Sequence, residues 1–487
     1  MSTQIIERTN ASLVEKIVIR GRLHLDSPLS ISGGDTPADA LHEVDNYVLR
    51  DKQGQPFIPG SSLAGVLRAA VFALPNIKKR AADLQAAELL FGRTADKDTL
   101  QSALDVSDIV LPKDSIAVRD GVAIDGFTGT AIKSHKYDYE VVDRGNTGNL
   151  ELIITLRQNS KACRAEIDTL IGTLLRLLSD GIRIGAGTAK GFGKVSCKPL
   201  HAVRYDFSNR AAFKAWLEYD AESDLESWWK EAKELPLKSY KPARKGEAAP
   251  DLLTIDAWFS LNSSLIVRKY GGKKEDQGGF DAVSLQSAGD YLIPGTTMKG
   301  VLRHQAEKIL TRFRMDTKWL DELMGYSDEE TKEKQKSHFY VDDIYIGEEA
   351  VEAVAQSHNR IDRFTGGTVD TALFTTKPLW KKEGEPSPVK LHLEIQQCSE
   401  VEAGLALFLL RDLWQGRIAV GGEKAIGRGT LCGQKAEIHY NRSPYQEKGY
   451  VLDRQGKVQG GRQQQDELEH LAQAFTEMRN SQGEEAL

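Results

Sequence analysis

The amino-acid sequence predicts an α+β protein in which one domain occurs twice. Three observations carry this prediction: a series of motifs returns in the same order, strand-like and helix-like segments follow each other inside each copy, and a polar stretch separates the copies. The chain has 487 residues, a length that indicates two or three domains. The predicted domains cover residues 1–208 and 252–441, with a helix and linker at 209–251 and a polar tail at 442–487.

The recurring motifs keep an almost constant spacing. FIPGSSLAGVLR begins at Phe57, and LIPGTTMKGVLR begins 235 residues later at Leu292. The other pairs are SDI at Ser107 with DDI at Asp342, AIDGFTGTA at Ala123 with RIDRFTGGT at Arg360, and IGAGTAKGFGKV at Ile184 with VGGEKAIGRGTL at Val420. Because the period is the size of a domain, the sequence predicts a tandem fusion and not a solenoid.

The first copy opens with strand-like segments. Residues 15–32 alternate apolar and polar side chains, as a half-buried strand does, and NYVLRD at residues 46–51 predicts a second strand. IPGSS then opens a helix over LAGVLRAAVFAL, for which Ser61 or Ser62 is the predicted N-cap.

The rest of the copy completes a βαββαβ-like order with insertions. Residues 106–111 and 150–157 predict strands, residues 164–179 predict a second helix, and a glycine loop leads into the strand FGKVSC. This order is typical of a ferredoxin-like (RRM-like) domain, in which the helices lie on one face of the sheet. An insertion at 119–148, with a counterpart at 360–378, predicts a protruding β-hairpin in each domain.

The composition excludes some classes of protein. Hydrophobic residues make up 40% of the chain and charged residues 28%, as in ordinary globular proteins. The formal net charge of −6 gives no overall attraction for nucleic acid, although local basic grooves remain compatible with it. The N-terminus lacks an apolar signal segment, no stretch approaches a membrane span, and the four cysteines form no CxxC pair. We therefore expect a cytoplasmic protein with no membrane contact. The polar tail holds a short predicted helix at 466–478, and disorder is the ordinary expectation for the rest.

Glycine-rich loops close both copies. Gly185, Gly187 and Gly191 lie between a predicted helix and a predicted strand, and Gly421 and Gly427 recur in the second copy. The order differs from a Rossmann fingerprint, and no Gly-Lys-Ser/Thr follows to make a phosphate-binding P-loop. Two interpretations stay open: turns that need a positive φ, or backbone that approaches a phosphate chain closely.

An aspartate recurs ahead of the IPG motif. Asp45 and Asp281 both follow a glycine-containing loop and precede a predicted strand. A carboxylate there suits a general base, or a ligand for a divalent cation that neutralises phosphate charge. The alternative is a turn residue that leads into the strand. No histidine recurs at matching positions, which argues against a ribonuclease mechanism built on a histidine pair.

The predicted hairpins combine basic and aromatic residues, a pattern that suits contact with a nucleic-acid backbone and its bases. The ordinary alternative is a solvated hairpin. The residues are Lys133, His135, Lys136 and Tyr137 in the first copy, and Arg360, Arg363, Phe364 and Lys377 in the second.

Together, IPGSSLAGVLR, LFG, IDGFTG and GAGTAKGFGKV resemble the RAMP superfamily, and within it the backbone subunits of type III CRISPR RNA-guided effector complexes. A chain with two such units resembles the fused backbone subunit of a variant type III-D system. The resemblance implies an RRM-like palm with an inserted β-hairpin thumb in each unit. It also implies a guide RNA and a target RNA as ligands, with further backbone units, a large polymerase-like subunit and a small subunit as partners.

The resemblance further implies cleavage of target RNA by attack of its own 2′-OH, with Asp45 and Asp281 as catalytic residues and as possible ligands of Mg²⁺ or Mn²⁺. It implies RNA contacts at Ser61, Ser62, Arg68, Lys133, His135, Lys136, Gly185, Gly187, Gly191, Thr296, Thr297, Lys299, Arg303, Arg360, Arg363, Gly421, Gly422 and Gly427. Two departures concern the second site: a Lys-rich loop precedes Asp281, and Glu423 replaces Gly187. The alternatives are a non-catalytic RNA-binding scaffold and a nuclease that processes guide RNA. A small-molecule enzyme is less well supported, because paired hairpins serve no obvious pocket.

Overall fold

A computed structural model describes residues 12–33, 44–94, 99–126, 128–235, 237–242, 251–269, 279–327, 333–384, 389–442 and 446–483. The described residues mix helices and strands throughout, which confirms the predicted mixture of α and β structure. The chain divides into two compact units. Unit 1 consists of Met1–Val118, Glu140–Ala186 and Gly193–Ala248, and unit 2 of Arg119–Tyr139, Gly187–Phe192 and Ala249–Leu487. Unit 2 therefore includes two short segments that belong to the first copy in sequence.

The first copy supplies ten strands and six α-helices among the described residues. The strands are β1 (Leu13–Leu25), β2 (Phe57–Ile58), β3 (Leu104–Val106), β4 (Ile109–Val110), β5 (Ile116–Ile124), β6 (Ala131–Val142), β7 (Thr147–Arg157), β8 (Ile182–Arg183), β9 (Lys194–Asp206) and β10 (Lys238–Ser239). The helices are α1 (Gly60–Phe72), α2 (Pro75–Lys79), α3 (Ala81–Phe91), α4 (Arg164–Asp180), α5 (Arg210–Leu217) and α6 (Leu225–Glu234).

The sheet of unit 1 is antiparallel and has the order β10-β9-β1-β7-β3, with β8 paired to β9. Along β1, alternate residues face opposite sides. Ile17 and Ile19 join the core that also contains Leu67 of α1 and Leu174 of α4. Val18 lies in a separate cluster with residues of α6, which covers the other side of the sheet. NYVLRD forms only isolated bridges, so the second strand of the sheet is β3 instead.

The second copy and the C-terminal region supply the remaining elements. The strands are β11 (Leu252–Leu261), β12 (Ala282–Val283), β13 (Gln286–Ser287), β14 (Asp290–Ile293), β15 (Tyr326–Ser327), β16 (Lys334–Gln335), β17 (Phe339–Val341), β18 (Ile344–Ile346), β19 (Val351–Ala353), β20 (Gln356–His358), β21 (Phe374–Lys377), β22 (Leu379–Lys381), β23 (Val389–Gln396), β24 (Leu431–Arg442), β25 (Gln446–Leu452) and β26 (Val458–Gln459). The helices are α7 (Gly295–Phe313), α8 (Trp319–Met324), α9 (Glu400–Trp414) and α10 (Arg462–Gly483).

The main sheet of unit 2 is also antiparallel, with the order β17-β23-β11-β24-β25-β26. Its first four strands repeat the order β3-β7-β1-β9 of unit 1. The last two strands come from the tail, where disorder was the ordinary expectation. Leu468, Leu471 and Phe475 of α10 are buried in the core of unit 2. The predicted helix at 466–478 lies within α10, and the expectation of disorder is wrong for the other described residues of the tail, 446–465 and 479–483.

The tail helix approaches α9 closely at one glycine. A Cβ on Gly404 would collide with the carbonyl oxygen of Leu471 and lie 2.7 Å from the Cβ of Phe475. Glycine is therefore required here for α10 to reach the core. Within the described ranges, none of the helices has the length and apolar character that a membrane crossing requires.

Helix α1 begins at Gly60 without a serine cap. The Gly60 N–H donates to Oδ1 of Asp108 at 2.7 Å, and the residue before it, Pro59, has no capping side chain. Helix α7 repeats this arrangement, with the Gly295 N–H donating to Oδ1 of Asp343 at 2.7 Å. The predicted N-cap at Ser61 or Ser62 is therefore wrong, because the acceptor comes from a residue after the next strand of the sheet.

Candidate functional site

The two recurring aspartates lie at the bases of the two inserted hairpins. In unit 2, the N–H and the hydroxyl of Thr375 donate to Oδ2 of Asp281 at 2.6 and 3.1 Å, and the Asp281 N–H donates to the Thr375 carbonyl at 2.9 Å. In unit 1, the residue after Asp45 is bonded in the same region: the Glu140 N–H donates to the Asn46 carbonyl at 2.9 Å. Asp45 and Asp281 are both exposed, so each carboxylate is accessible beside a hairpin strand.

The surroundings of the aspartates limit how a metal could be held. Within the described ranges, no three His, Cys, Asp or Glu side chains gather as a group that could hold a metal ion. A single exposed carboxylate still fits Mg²⁺, because this ion commonly keeps several waters and takes its other ligands from substrate phosphates. Asp45 and Asp281 fit such a shared site.

The hairpin of the first copy ends in a tight turn. Asp125 Oδ1 accepts from the N–H and hydroxyl of Thr128 at 2.6 and 2.9 Å. The same turn recurs in unit 2, where Asp362 Oδ1 accepts from the N–H groups of Phe364 and Thr365 at 2.7 and 3.1 Å. The repeated IDxFTG motif is therefore a turn that shapes the hairpin tip.

The second tip presents an aromatic ring to solvent. Phe364 has a relative exposure of 101%, and Arg360 and Arg363 beside it are exposed. Apolar residues this exposed are common singly on surfaces, but an exposed ring that follows two exposed arginines in the sequence also suits stacking on a base.

The basic residues of the first hairpin are also accessible. Lys133, His135 and Lys136 are exposed on β6. Lys136 Nζ lies 3.4 Å from Asp120 and 3.6 Å from Asp138. Burial and the neighbouring Asp138 raise the pKa of Asp120 to about 6, while Lys136 opposes that shift.

The start of helix α7 is covered inside unit 2. Arg119 Nη1 lies 2.8 Å from Asp343 Oδ2, and both side chains are almost fully buried. The Arg119 guanidinium also lies over the ring of Phe192, 5.3 Å from its centroid. Burial raises the pKa of Asp343, and the Arg119 cation opposes this shift. Burial disfavours the charge on Arg119, but Asp343 outweighs it and raises the pKa of Arg119.

The first glycine loop is shaped by contacts within the protein. Gly185 has φ +86°, and a Cβ there would collide with the carbonyl oxygen of Ser30. Gly191 has φ +96°, and a Cβ there would collide with the carboxylate of Asp343. Gly421 repeats the Gly185 arrangement against Ile266. Of the two interpretations, these glycines favour turns and close protein packing.

The second glycine loop differs at one turn position. Glu423 replaces Gly187 and holds a left-handed φ of 55°. Its carboxylate lies 2.7 Å from Arg268 and 2.6 Å from Arg428, and the Arg428 side chain is buried. Gly422 lies beside this pair, and Gly427 keeps a φ of +88° with open space where a Cβ would be.

The basic residues of the IPG helices are occupied within the protein. Arg68 donates to the Gly92 carbonyl at 3.1 Å, and Arg303 donates to the equivalent Gly325 carbonyl at 2.8 Å. Lys299 is buried and donates to Ser337 Oγ at 2.7 Å and to the Phe339 carbonyl at 2.8 Å. Burial lowers the pKa of Lys299 to about 7, with Lys190 and Arg303 adding to the shift.

The predicted RNA contact at Lys299 is therefore not supported, since its ammonium faces the protein interior. Arg68 and Arg303 have a structural role at the ends of the following helices. The hydroxyl residues at the helix starts remain accessible to different degrees: Ser61 is exposed, and Ser62, Thr296 and Thr297 are half-buried.

The buried Arg119–Asp343 pair was not predicted from the sequence. The sequence does mark the aspartate of this pair, because Asp108 and Asp343 occupy the same position in the recurring motifs SDI and DDI. No matching arginine recurs, since Gln356 stands where the second copy would have one.

Comparison with known proteins places the chain in a family. The family model described as the RAMP superfamily matches residues 22–196 and 263–432, one segment in each copy. The chain belongs to the RAMP superfamily. Two curated relatives share the name CRISPR system Cms endoribonuclease Csm3. The protein from Streptococcus thermophilus is 30% identical over 202 residues, which cover 39% of this chain and 90% of the relative. The protein from Methanocaldococcus jannaschii is 26% identical over 239 residues, which cover 45% of this chain and 94% of the relative. Each relative thus matches less than half of this RAMP protein, as expected for a chain with two copies of one domain.

Proposed function

We propose that this RAMP protein is a backbone subunit of a type III CRISPR effector complex, which binds guide RNA and the guide–target duplex and cleaves target RNA at two sites. The observation that carries the proposal is the repeated placement of an exposed aspartate at the base of an inserted hairpin, in a chain whose relatives are named Csm3 endoribonucleases. The strand order shared by the two sheets also supports a ferredoxin-like (RRM-like) palm in each copy.

The hairpins bind RNA in this proposal. Phe364 stacks on a base, and Arg360 and Arg363 neutralise nearby phosphates. Lys133, His135 and Lys136 do the same on the first hairpin. The protein reads the shape and backbone of the RNA, while base pairing with the guide reads the sequence.

Cleavage proceeds by in-line attack within the target strand. The 2′-oxygen of one nucleotide forms a bond to the adjacent phosphorus, and the bond to the 5′-oxygen of the next nucleotide breaks. The products are a 2′,3′-cyclic phosphate and a 5′-hydroxyl, and the proton lost by the 2′-OH is balanced by the one gained at the leaving oxygen. Displacement of a nucleotide by the hairpin supplies the alignment, and well-aligned intramolecular reactions gain on the order of 7 kcal/mol or more.

Asp45 and Asp281 act beside the displaced nucleotides. Each carboxylate accepts the 2′-OH proton. Asp45 and Asp281 are also the residues that would hold a divalent cation at their sites. Mg²⁺ or Mn²⁺ would supply charge neutralisation at that phosphate. The Thr375 hydrogen bonds keep the Asp281 carboxylate oriented toward the hairpin.

The test is cleavage of a guide-matched target RNA by the assembled complex with Mg²⁺. The variants are Asp45→Asn, Asp281→Asn and the double substitution, with Asp51→Asn as a matched control. Asp51 also accepts backbone hydrogen bonds in a turn, but it accepts them from Gln53 and Gln55 of its own turn and not from a hairpin strand. Asparagine keeps an acceptor for the turn and removes the charge.

The expected result is loss of one cleavage product with each single substitution, loss of both with the double substitution, and no change with Asp51→Asn. A non-catalytic scaffold is the second candidate, favoured by the Thr375 contacts that occupy Asp281 Oδ2. Unchanged cutting by the double variant would leave only the scaffold function.

A further inference from the structure

The covered start of helix α7 has an uncovered counterpart in unit 1. We define the first-copy face as Gly60, Ser61, Asp108 and Val110, which correspond to Gly295, Thr296, Asp343 and Tyr345. The capping geometry is the same in both copies, with an N–H to carboxylate distance of 2.7 Å. The surroundings differ: the Asp343 side chain has a relative exposure of 0%, whereas Asp108 is exposed and Val110 is 44% exposed.

The cover over Asp343 has three parts within unit 2. Arg119 supplies the opposite charge at 2.8 Å. Gly191 allows the loop to approach, because any side chain there would collide with the Asp343 carboxylate. The Lys190 carbonyl lies so close to Gly295 that a Cβ on that residue would be 2.6 Å away. A hairpin arginine and a glycine loop therefore form one complementary surface for a capped helix start.

The second copy of this chain cannot offer the same surface. Its hairpin has Gln356 where the first has Arg119, and Gln356 Oε1 accepts from Arg428 at 2.6 Å. Arg428 replaces Phe192 and is buried against Glu423. The glycine is kept as Gly427, but the cation that would pair with an acidic helix cap is absent at this position.

We propose that the first-copy face docks a separate RAMP-type subunit that carries an arginine at the position of Arg119 and a glycine loop like 187–192. Asp108 selects this neighbour by charge. A second copy of this chain is rejected because it would leave the carboxylate covered without a cation, an arrangement that costs more than it gains. This inference rests on the proposed function, since it identifies the neighbour of a backbone subunit.

The test uses the full chain, tagged and co-expressed with the other subunits of its complex and the guide RNA. The composition is read by native mass spectrometry for wild type, Asp108→Asn and Asp108→Arg. Asparagine keeps the acceptor for the Gly60 N–H, so its effect reports charge and not loss of the helix cap. Asp180→Asn and Asp180→Arg are the matched controls, at an exposed aspartate on the last turn of α4.

We expect Asp108→Arg to weaken retention of one RAMP-type subunit by about 30-fold or more, the range seen when a buried charge pair is broken. Asp108→Asn weakens it less, and both Asp180 variants retain it. Changing the matching arginine of the lost subunit to aspartate restores binding to Asp108→Arg. Guide RNA is measured in the same samples. Its absence from the wild-type complex would contradict the proposed function, whereas loss of a subunit from the Asp108 variants tests only the docking at the first-copy face.

Three outcomes overturn the inference: an unchanged composition in Asp108→Arg, loss of a subunit that has no arginine at the matching position, or a second copy of this chain as the neighbour. Analytical sedimentation of the isolated protein tests the last outcome separately. If wild type self-associates and Asp108→Asn does not, the neighbour at the first-copy face is a second copy of this chain.

Discussion

At the scale of residues, the two copies use the same aspartate for different purposes. Asp108 and Asp343 both cap a helix start, but Asp343 also neutralises Arg119 in a buried pair. Capping by a side chain far along the chain leaves no local pattern, since Gly60 and Asp108 are 48 residues apart. The sequence therefore predicted Ser61 or Ser62 as the N-cap, because serine is a preferred capping residue, although both lie inside the helix.

The buried pair gives a first prediction. Arg119→Met should lower the free energy of unfolding of unit 2 by about 3–5 kcal/mol, because Asp343 is left buried without its cation. Asp343→Asn should lower it too, while Arg119→Met with Asp343→Asn should cost less than the sum of the two. Urea denaturation of the four proteins measures the coupling. Additive effects would show that the two charges do not depend on each other.

Lys299 gives a prediction in pH. Its pKa falls from 10.5 to about 7 on folding, so the unfolded chain binds more protons between these values and stability rises with pH across that window. The cost of burying the charge is complete below pH 7 and absent above 10.5. Lys299→Met should therefore stabilise the protein near pH 6, by on the order of 5 kcal/mol at most. The gain should shrink toward pH 10.

Thermal unfolding of wild type and Lys299→Met at several pH values checks this. Ala64 occupies the equivalent position in the first copy, so Ala64→Met is a matched control at a site without a titrating group. The effect of Ala64→Met on stability should be the same from about pH 6 to about pH 10, because no titrating group is removed. If the gain in stability from Lys299→Met is also constant over this range, the titration of Lys299 is not its cause.

At the scale of elements, the tail helix α10 belongs to the core. Phe475 is fully buried and packs edge-on against Phe313, with ring centroids 6.0 Å apart. Phe475→Ala should cost about 3–5 kcal/mol of unfolding free energy. Met478→Ala, one turn further along the helix and only partly buried, should cost less. Chemical denaturation compares them, and equal, small effects would mean that α10 contributes little.

The tip of the second hairpin gives a prediction about binding. Phe364→Ala should weaken binding of the guide–target duplex by about 1–3 kcal/mol, the range for one aromatic–base stack. Phe213→Ala on α5 is the control, because Phe213 is also exposed, at 42%, but lies outside the hairpins. Fluorescence titration with labelled RNA separates the two. Equal affinities for both variants and wild type would remove Phe364 from the interface.

The sequence predicted those elements that depend on local pattern. The tandem copies, the mixture of helices and strands, and both hairpins follow from recurring motifs and periodicity. NYVLRD failed as a sheet strand because alternation alone does not show which neighbour supplies the hydrogen bonds. In the tail, the sequence predicted the helix at 466–478. It did not predict β25, β26 or the packing of Leu468, Leu471 and Phe475 in the core, because these depend on contacts with distant residues. For the candidate site, the sequence indicated the candidate residues and their positions in the chain. It did not predict the Arg119–Asp343 pair, because these two residues are far apart in sequence and meet only in the folded protein.

At the scale of the whole molecule, a net charge of −6 means that RNA affinity depends on where the basic residues lie. Changing Lys133, Lys136, Arg360 and Arg363 to Gln should reduce the slope of log affinity against log salt by about 3, at roughly 0.7 for each phosphate contact. Changing Lys214 and Lys230, which are exposed on α5 and α6, should leave the slope unchanged. Filter binding at several salt concentrations measures the slopes. If the hairpin variant has the same slope as wild type, the RNA does not contact these four residues.

The buried Arg119–Asp343 pair joins two segments of one polypeptide, whereas none of the described residues forms such a pair with Asp108 on the first-copy face. The first contact is therefore intramolecular, and its occupancy does not depend on how much protein is present. The second must be filled from solution, so it weakens on dilution while the first survives. A purified complex that is progressively diluted should open at Asp108 and keep Asp343 covered.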